Sequence, residues 1–544
     1  MTAALLARAQ SLADRVFAFP ASAARAAALT ALVTVLVTYG GIRSPDSEVI
    51  FRTAERLAFA GTFAHDRDLE GWKDFGLPKG VDGLRYQWFG PGQSLYEAPF
   101  VPLATAWGAA LAEHFPSLDP PPSHYFQRGL DQAYSGLPVP RPHLAGHLTR
   151  SVLSLLDALT LALTVLVLHR IFEAALGSRA RAGWAALATA LATPLLNYAT
   201  TLFGEPLATL GCSLALLQVV RGDPDLRSTE RPTDLRLRRM ILAGGLVSAA
   251  ATAHLTAILY APLLGIYAWR NAARKVGRWW STALVPPFVM TLASLPLVLW
   301  MGQQNYAHFG DPFETGRGVM PRFWVRDFVA PWEGLYGQTI SPGKGLLWIA
   351  PLACFSVAFA LYHRRHLPWI AKALLVYLGC RVLFLAGRDD WHAGFCLGPR
   401  YMMMALPDFL LVGALAWKTW TSARRPTRAT AGWIAALTTA AIGLAIVQQL
   451  YFASGEIFLF THRMRNLAAA EHRAGLEADI YFDWKYTPIR GLLDWTSGPW
   501  LYRALHLDPY AGWASWSVAT AALATLAGLG AARGHRSAEG KGDP

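Results

Sequence analysis

Residues 24–42 read ARAAALTALVTVLVTYGGI and residues 43–51 read RSPDSEVIF, so a long apolar run gives way abruptly to a segment carrying Arg43, Asp46 and Glu48. About 20 mainly apolar residues is the length of helix that crosses a bilayer core. The same alternation recurs along the chain, with apolar runs at roughly 149–169, 183–202, 206–220, 279–301, 345–362, 368–386, 401–418, 430–451 and 513–531. One further run, 241–269, is long for a single crossing and contains His254. A single crossing would put the basic segments 221–239 and 270–278 on opposite sides of the membrane, whereas two short crossings turning near His254 place both in the cytoplasm. The hairpin is the expectation. It gives about twelve spans in an all-α polytopic membrane protein, with residues 1–544 forming one transmembrane domain.

Composition agrees. The 544 residues are 53% hydrophobic and only 16% charged, which excludes a disordered or collagen-like chain and falls short of the charge that covers a soluble protein of this size. The 49 Lys+Arg against 36 Asp+Glu leave a formal +13, but these cations punctuate apolar runs instead of forming a basic domain or stripe, so no nucleic-acid partner is expected. With the N-terminus inside, Arg179/Arg181, segments 221–239 and 270–278, Arg364/Arg365, 418–428 and 533–541 all fall on the cytoplasmic side. The opposite side receives 43–148, 302–343, 387–400 and 452–512, rich in Trp, Tyr, Gly, Pro and acidic residues; most of the 21 Trp fit an interfacial belt. Cys212, Cys354, Cys380 and Cys396 form neither a CxxC pair nor a Cys/His cluster, so neither a disulfide framework nor a zinc site is indicated. Arg8, Asp14 and Arg15 interrupt the N-terminus, and the first span is expected to stay in the mature protein. An Ala- and Arg-rich chain with eight lysines is what a GC-rich bacterial genome encodes. No internal repeat is found, which weighs against a transporter built from two related halves.

Polar chemistry gathers on the outer side. In the first outer loop, apolar positions 49, 50, 54, 57 and 58 recur at helical spacing up to Gly61, the pattern of a helix lying on the membrane with Asp46 or Ser47 as its cap. Asp46 is therefore a cap or a catalytic carboxylate in equal measure, although capping alone does not call for a second acid at Glu48. Gly90-Pro91-Gly92 opens another interfacial helix through about residue 113. Glu205, in Gly204-Glu205-Pro206, stands at the outer end of a span, where a carboxylate is either functional or one half of a salt bridge. Gly316-Arg317-Gly318 and Ser341-Pro-Gly-Lys344-Gly345 set cations among glycines, which lets backbone and side chain approach an anion together. The second lacks the spacing of a Walker A loop, and Lys344 is alternatively a snorkelling anchor. The short polar loop holding Arg388, Asp389, Asp390, His392, Arg400 and Tyr401 lies between two spans and must be buried in protein or line a wet cavity. Its acids are alternatively helix caps and Arg400 an interfacial anchor. His254, alone in an apolar run, reads as a locally satisfied histidine.

The order of these pieces resembles the GT-C superfamily of integral-membrane glycosyltransferases, in the branch of protein O-mannosyltransferases and lipid A aminoarabinose transferases. The likeness rests on Asp46-Ser-Glu48 directly after the first span, the helix ending at Gly61, Gly90-Pro91-Gly92, Gly204-Glu205-Pro206, Ser341-Pro-Gly-Lys-Gly345 and Gly398-Pro-Arg-Tyr401, which together span about two thirds of the chain as ordered landmarks. It implies a polyprenyl-phosphate sugar donor, transfer on the extracytoplasmic face of the bacterial inner membrane and inversion at the anomeric carbon. The first motif departs from the adjacent acids of that family, which leaves open which carboxylate is the base.

Chemistry of that kind needs a carboxylate to take the proton of a weakly nucleophilic hydroxyl, and cations to meet the charge growing on a lipid phosphate. Asp46, Glu48 and Glu205 are the expected catalytic carboxylates, with Asp46 as base. Arg317, Lys344, Arg388, His392, Arg400 and Tyr401 are expected on the substrate side. The scheme requires no metal and no cofactor, although the acidic trio has the donors to admit a cation. The expected partners are the sugar donor, membrane lipids and a glycan, lipid or protein acceptor offering a hydroxyl or amine. Two rival classes remain at this stage: a transporter or flippase of a lipid-linked or anionic substrate, and a noncatalytic membrane scaffold of the same fold.

Overall fold

A computed structural model of the chain describes residues 18–38, 41–42, 44–65, 75–117, 143–221, 237–276, 283–318, 328–424, 428–455, 457–471 and 479–491, with a few isolated positions besides. Apart from Thr520, the expected span at 513–531 lies outside the described residues, as do 118–142, 319–327 and 492–512 of the outer regions. Among the described residues there is no β-strand, only isolated bridges that join His65 and Lys79 to Arg85.

Each apolar run that falls on described residues is helical. Five helices are long and apolar enough to cross a membrane: Leu144–Leu176, Val285–Phe309, Trp369–Ala386, Arg400–Ala423 and Ala436–Ser454. Three shorter apolar helices, Ala23–Val37, Gly204–Val220 and Pro351–Tyr362, accompany them. The shortening has a local cause in two places. The run at 183–202 stops at Leu191 before Pro194, and the run at 345–362 is interrupted at Ala350 before Pro351, since proline offers no N–H to continue a helix.

Helix α1 (Ala23–Val37) leads to α2 (Pro45–Ala60). The cap of α2 is Ser44, whose hydroxyl accepts the Asp46 N–H at 3.2 Å, so the expectation that Asp46 or Ser47 caps this helix is corrected. Pro45 supplies the reason: its fixed φ and missing N–H suit the first helical position and start the helix one residue before Asp46. At the other end Gly61 adopts φ 66° and its N–H returns to Arg56 and Leu57, a left-handed C-terminal stop. Ser47 to Glu55 are buried, so protein encloses the middle of α2.

Helices α3 (Pro91–Glu97) and α4 (Val101–His114) follow, joined by a turn of 3-10 helix, and α4 packs along α5 (His143–Leu176). With 34 residues α5 is roughly 50 Å long, more than a bilayer core of about 30 Å requires. Next come α6 (Arg179–Leu191), α7 (Gly204–Val220), α8 (Leu237–Ala253) and α9 (Tyr260–Val276). The long apolar run at 241–269 is thus two helices, broken at His254 and linked by the 3-10 turn Leu255–Leu259. Helices α10 (Val285–Phe309), α11 (Trp332–Thr339), α12 (Pro351–Tyr362), α13 (Trp369–Ala386), α14 (Leu406–Arg424) and α15 (Arg428–Ser454) complete the bundle.

Three glycines draw the start of α3 and the start of α7 onto the end of α8. A Cβ at Gly90 would lie 2.1 Å from the Thr252 carbonyl oxygen, one at Gly92 2.3 Å from the Thr252 hydroxyl, and one at Gly204 2.4 Å from the Ala253 carbonyl oxygen. No larger residue fits without moving backbone, so the Gly-Pro-Gly and Gly-Glu-Pro motifs act as close-approach points around the His254 break. The segment 75–90 is tied to the end of α10. The Val81 N–H donates to the His308 carbonyl at 2.9 Å, and the Tyr86 and His308 rings stack at 3.8 Å.

Candidate active site

The start of α2, the start of α7 and the break after α8 converge with the loop 387–399. Arg400 stands at their centre, in the 3-10 turn Arg400–Ala405 that feeds α14. Its Nη1 donates to Asp46 Oδ2 at 2.8 Å, a contact between residues 354 positions apart. Its Nε lies 3.0 Å from Glu205 Oε1, a charge contact without the alignment of a hydrogen bond. The Phe203 ring lies 4.6 Å from the guanidinium carbon. His254 closes the group: its Nε2 is 3.4 Å from the same Glu205 oxygen, and its ring lies 5.4 Å from that of Tyr401.

A second cluster adjoins the first through Tyr401. Asp390 accepts from Arg388 twice, Nε at 2.7 Å and Nη2 at 3.1 Å, from Arg317 Nη1 at 3.2 Å and from the Tyr401 hydroxyl at 3.0 Å. Burial pushes the Asp390 carboxyl up, but the hydrogen bonds and charge of Arg388, with Arg317 and Tyr401, outweigh it and hold the group down at about 2. Two guanidiniums on one carboxylate leave a surplus positive charge. Arg317 and Arg388 also keep 35% and 22% of their side chains exposed, so that charge can meet a ligand. Such planar donors pair two at a time with carboxylate or phosphate oxygens.

Lys344 is placed differently. Buried and fully engaged, its Nζ donates to the carbonyls of Gly394 and Cys396 at 2.7 Å each and contacts Cys396 Sγ at 3.1 Å. Burial lowers its pKa. Two ammonium protons hold the backbone at 394 and 396 and the third faces the Cys396 sulfur, and the Tyr198 hydroxyl adds a hydrogen bond to the Leu397 carbonyl at 2.8 Å. His392, in the same loop, accepts the Gly394 N–H on Nδ1 at 3.0 Å; burial and then the charge of Lys344 bring it down to about 4. Near neutral pH it is an uncharged imidazole whose Nε2–H remains to donate.

Glu48 is not part of either cluster. Successive helical residues are about 100° apart, so Glu48 leaves α2 roughly 200° from Asp46. It meets Arg150 of α5 instead, with Nη2 at 2.6 Å, and Arg52 Nε at 3.0 Å, while Arg52 bridges on to Glu55 at 2.8 Å. The structure therefore unites Asp46, Glu205, Arg317, Arg388, Arg400 and Tyr401, puts Lys344 and His392 in the supporting loop, and seals Glu48 away. It adds Asp390, which from the sequence was alternatively a helix cap, and His254, which read as locally satisfied. The signals for His254 were the helix break and the three glycines that crowd around it.

No model of a known protein family matches the chain, and no curated protein is similar to it. Solved structures are. ArnT from Cupriavidus metallidurans bound to undecaprenyl phosphate is 15% identical over 94% of this chain and 77% of that one, with a TM-score of 0.43. The archaeal oligosaccharyltransferase AglB from Archaeoglobus fulgidus, in complex with an inhibitory peptide and a dolichol-phosphate, is 12% identical over 89% of this chain and 64% of that one, with a TM-score of 0.44. Both are members of the GT-C superfamily, which the order of motifs resembles.

Proposed function

We propose that the protein is a glycosyltransferase that moves a sugar from a polyprenyl-phosphate-linked donor to an acceptor hydroxyl or amine, with inversion, at the extracytoplasmic face of a bacterial inner membrane. The observation that carries this reading is the meeting of Asp46 and Glu205 on Arg400, beside a surplus of guanidinium charge at Arg317 and Arg388. An acid able to accept a proton and cations able to receive an oxyanion stand side by side, contributed by segments far apart in the chain.

In this reaction the Asp46 carboxylate takes the acceptor proton as the acceptor atom forms its bond to the anomeric carbon. The bond from that carbon to the phosphate oxygen breaks, and the electron pair leaves with polyprenyl phosphate. Asp46 Oδ2 is held by Arg400, and the side chain keeps 14% exposure, enough to meet an acceptor. Glu205, 2% exposed, sets the position of Arg400 and orients the substrate. Arg317, Arg388 and Tyr401 receive the phosphate, with His392 as a neutral donor, while Lys344 shapes the loop that carries Arg388 and His392. Glu48 acts by fixing α2 to α5. Arg400 already stands between the two carboxylates, so the scheme needs no metal.

The same reading includes about twelve crossings, with 43–148, 302–343, 387–400 and 452–512 on the outer side and α2, α3 and α4 at the interface. The test is mass spectrometry of envelope glycans and lipids in a deletion strain complemented with wild type or Asp46→Asn. Loss of one modification in the deletion, restored by wild type and not by the variant, supports it. Restoration by Asp46→Asn removes the base, and movement of unaltered labelled donor between compartments would make the protein a transporter.

A further inference from the structure

Glu205 Oε1 is buried, accepts no hydrogen bond among the described residues, and has two nitrogens close by: Arg400 Nε at 3.0 Å and His254 Nε2 at 3.4 Å. Whether His254 helps or harms this oxygen depends on which ring nitrogen carries the proton. A bare Nε2 would set two lone pairs against each other in a site with little water, whereas Nε2–H would meet an acceptor that needs a donor.

The far side of the ring offers the donor that the Nε2–H tautomer needs. His254 Nδ1 lies 2.9 Å from the Thr256 hydroxyl oxygen. That oxygen already accepts from Arg381 Nη2 at 3.0 Å, and Arg381 Nη1 reaches the Thr256 carbonyl at 3.0 Å. A guanidinium can only donate, so it fills one lone pair of the hydroxyl and leaves the Thr256 proton free to point at Nδ1. Arg381 is held in turn by the Tyr401 carbonyl at 2.6 Å and the Tyr377 hydroxyl at 3.1 Å, and it is almost wholly buried. The chain of donors runs from Arg381 to Thr256 to His254 Nδ1, and the ring then presents Nε2–H to Glu205.

From this we infer that His254 is a positioning residue whose tautomer is set by the Thr256–Arg381 pair, and that it holds Glu205, and through it Arg400, in register with Asp46. The inference rests on the proposed function only in giving Glu205 and Arg400 a part in sugar transfer; the tautomer stands on the hydrogen bonds alone. A small rotation that brings Glu205 Oε1 into line would complete the hydrogen bonds of both Arg400 Nε and His254 Nε2.

The test joins spectroscopy to kinetics on the full chain. In protein labelled with [15N]histidine and reconstituted in lipid nanodiscs, the His254 resonances are assigned by their loss in His254→Gln. Wild type is expected to show bare Nδ1 and protonated Nε2, Thr256→Val to lose that single tautomer, and Thr256→Ser to retain it. Transfer is read as release of polyprenyl phosphate from a panel of labelled polyprenyl-phosphate pentoses and hexoses, in membranes of the complemented deletion strain, which supply the acceptor. Thr256→Val is expected to lower kcat roughly ten- to a hundredfold, the worth of a hydrogen bond to a charged group, with KM for the donor unchanged and Thr256→Ser close to wild type. A protonated Nδ1 in wild type, or a tautomer indifferent to Thr256→Val, overturns the inference. So does an altered tautomer with unaltered kcat. Failure of wild type to use any donor overturns the proposed reaction instead, and the spectra still decide the tautomer.

Discussion

Asp46 and Glu48 lie two residues apart on one helix and belong to opposite kinds of ion cluster. The Glu48 cluster is sealed: Glu48 is 0% exposed, Arg150 3% and Arg52 6%, and the arginines reach it from the same helix and from α5. The Asp46 side is more open: Asp46 keeps 14% of its side chain exposed and, in the adjoining cluster, Asp390 keeps 17% and Arg317 35%, while Arg400 and Glu205 between them are nearly buried. A sealed pair holds helices in place and has no room for a ligand. The open one retains surface on both its acid and its cations, and a reaction can use that surface. What separates scaffold from site here is the company each carboxylate keeps, since the residue types are the same.

Four measurements break or sharpen this contrast. Asp46→Asn keeps the shape and the contact with Arg400 but removes the proton acceptor, so transfer is expected to fall about 10²- to 10⁴-fold while thermal unfolding in detergent stays near wild type. Unaltered transfer would end the contrast. Glu48→Gln takes from Arg150 the carboxylate it is bonded to and from Arg52 one of its two, Glu55 remaining, a loss that costs about 3–5 kcal/mol when a buried pair is broken. It is expected to lower the unfolding midpoint and the yield while preserving transfer per folded molecule; loss of transfer at full stability would put Glu48 back among the catalytic acids.

Arg317→Gln removes one of the two guanidiniums at Asp390, and KM for the donor is expected to rise about tenfold, with a smaller change in kcat. An unchanged KM would take Arg317 off the phosphate. The smallest effect concerns His392. Its folded pKa of about 4 lies below the ordinary 6.5, so between those values the unfolded chain binds a proton that the folded chain does not. Stability therefore falls on acidification from about pH 6.5 to about pH 4 and is not reduced by this group above that window. In His392→Gln the unfolding midpoint should depend less steeply on pH across the same interval.

Much of the scaffold was legible along the chain. Apolar runs of helical length are local facts, and so are the Gly61 stop and the break of the 241–269 run at His254. The motifs Gly90-Pro91-Gly92 and Gly204-Glu205-Pro206 were legible as landmarks, yet their purpose was not, because a close approach to Thr252 and Ala253 involves residues far from them in sequence. The cap of α2 was misplaced by two or three residues, since Pro45 favours an earlier start than the spacing of apolar side chains implied.

The sequence by itself determined a helical, lipid-adapted chain with its acids, arginines and glycines concentrated in the connections, because hydrophobic periodicity and turn chemistry act over a few neighbouring residues. Only the tertiary structure decided that Asp46 and Glu205 share Arg400, that Glu48 belongs to Arg150, and that Lys344 serves a loop. Ion pairing depends on distance in space and on dielectric surroundings, and neither is written into the chain between residues 354 positions apart.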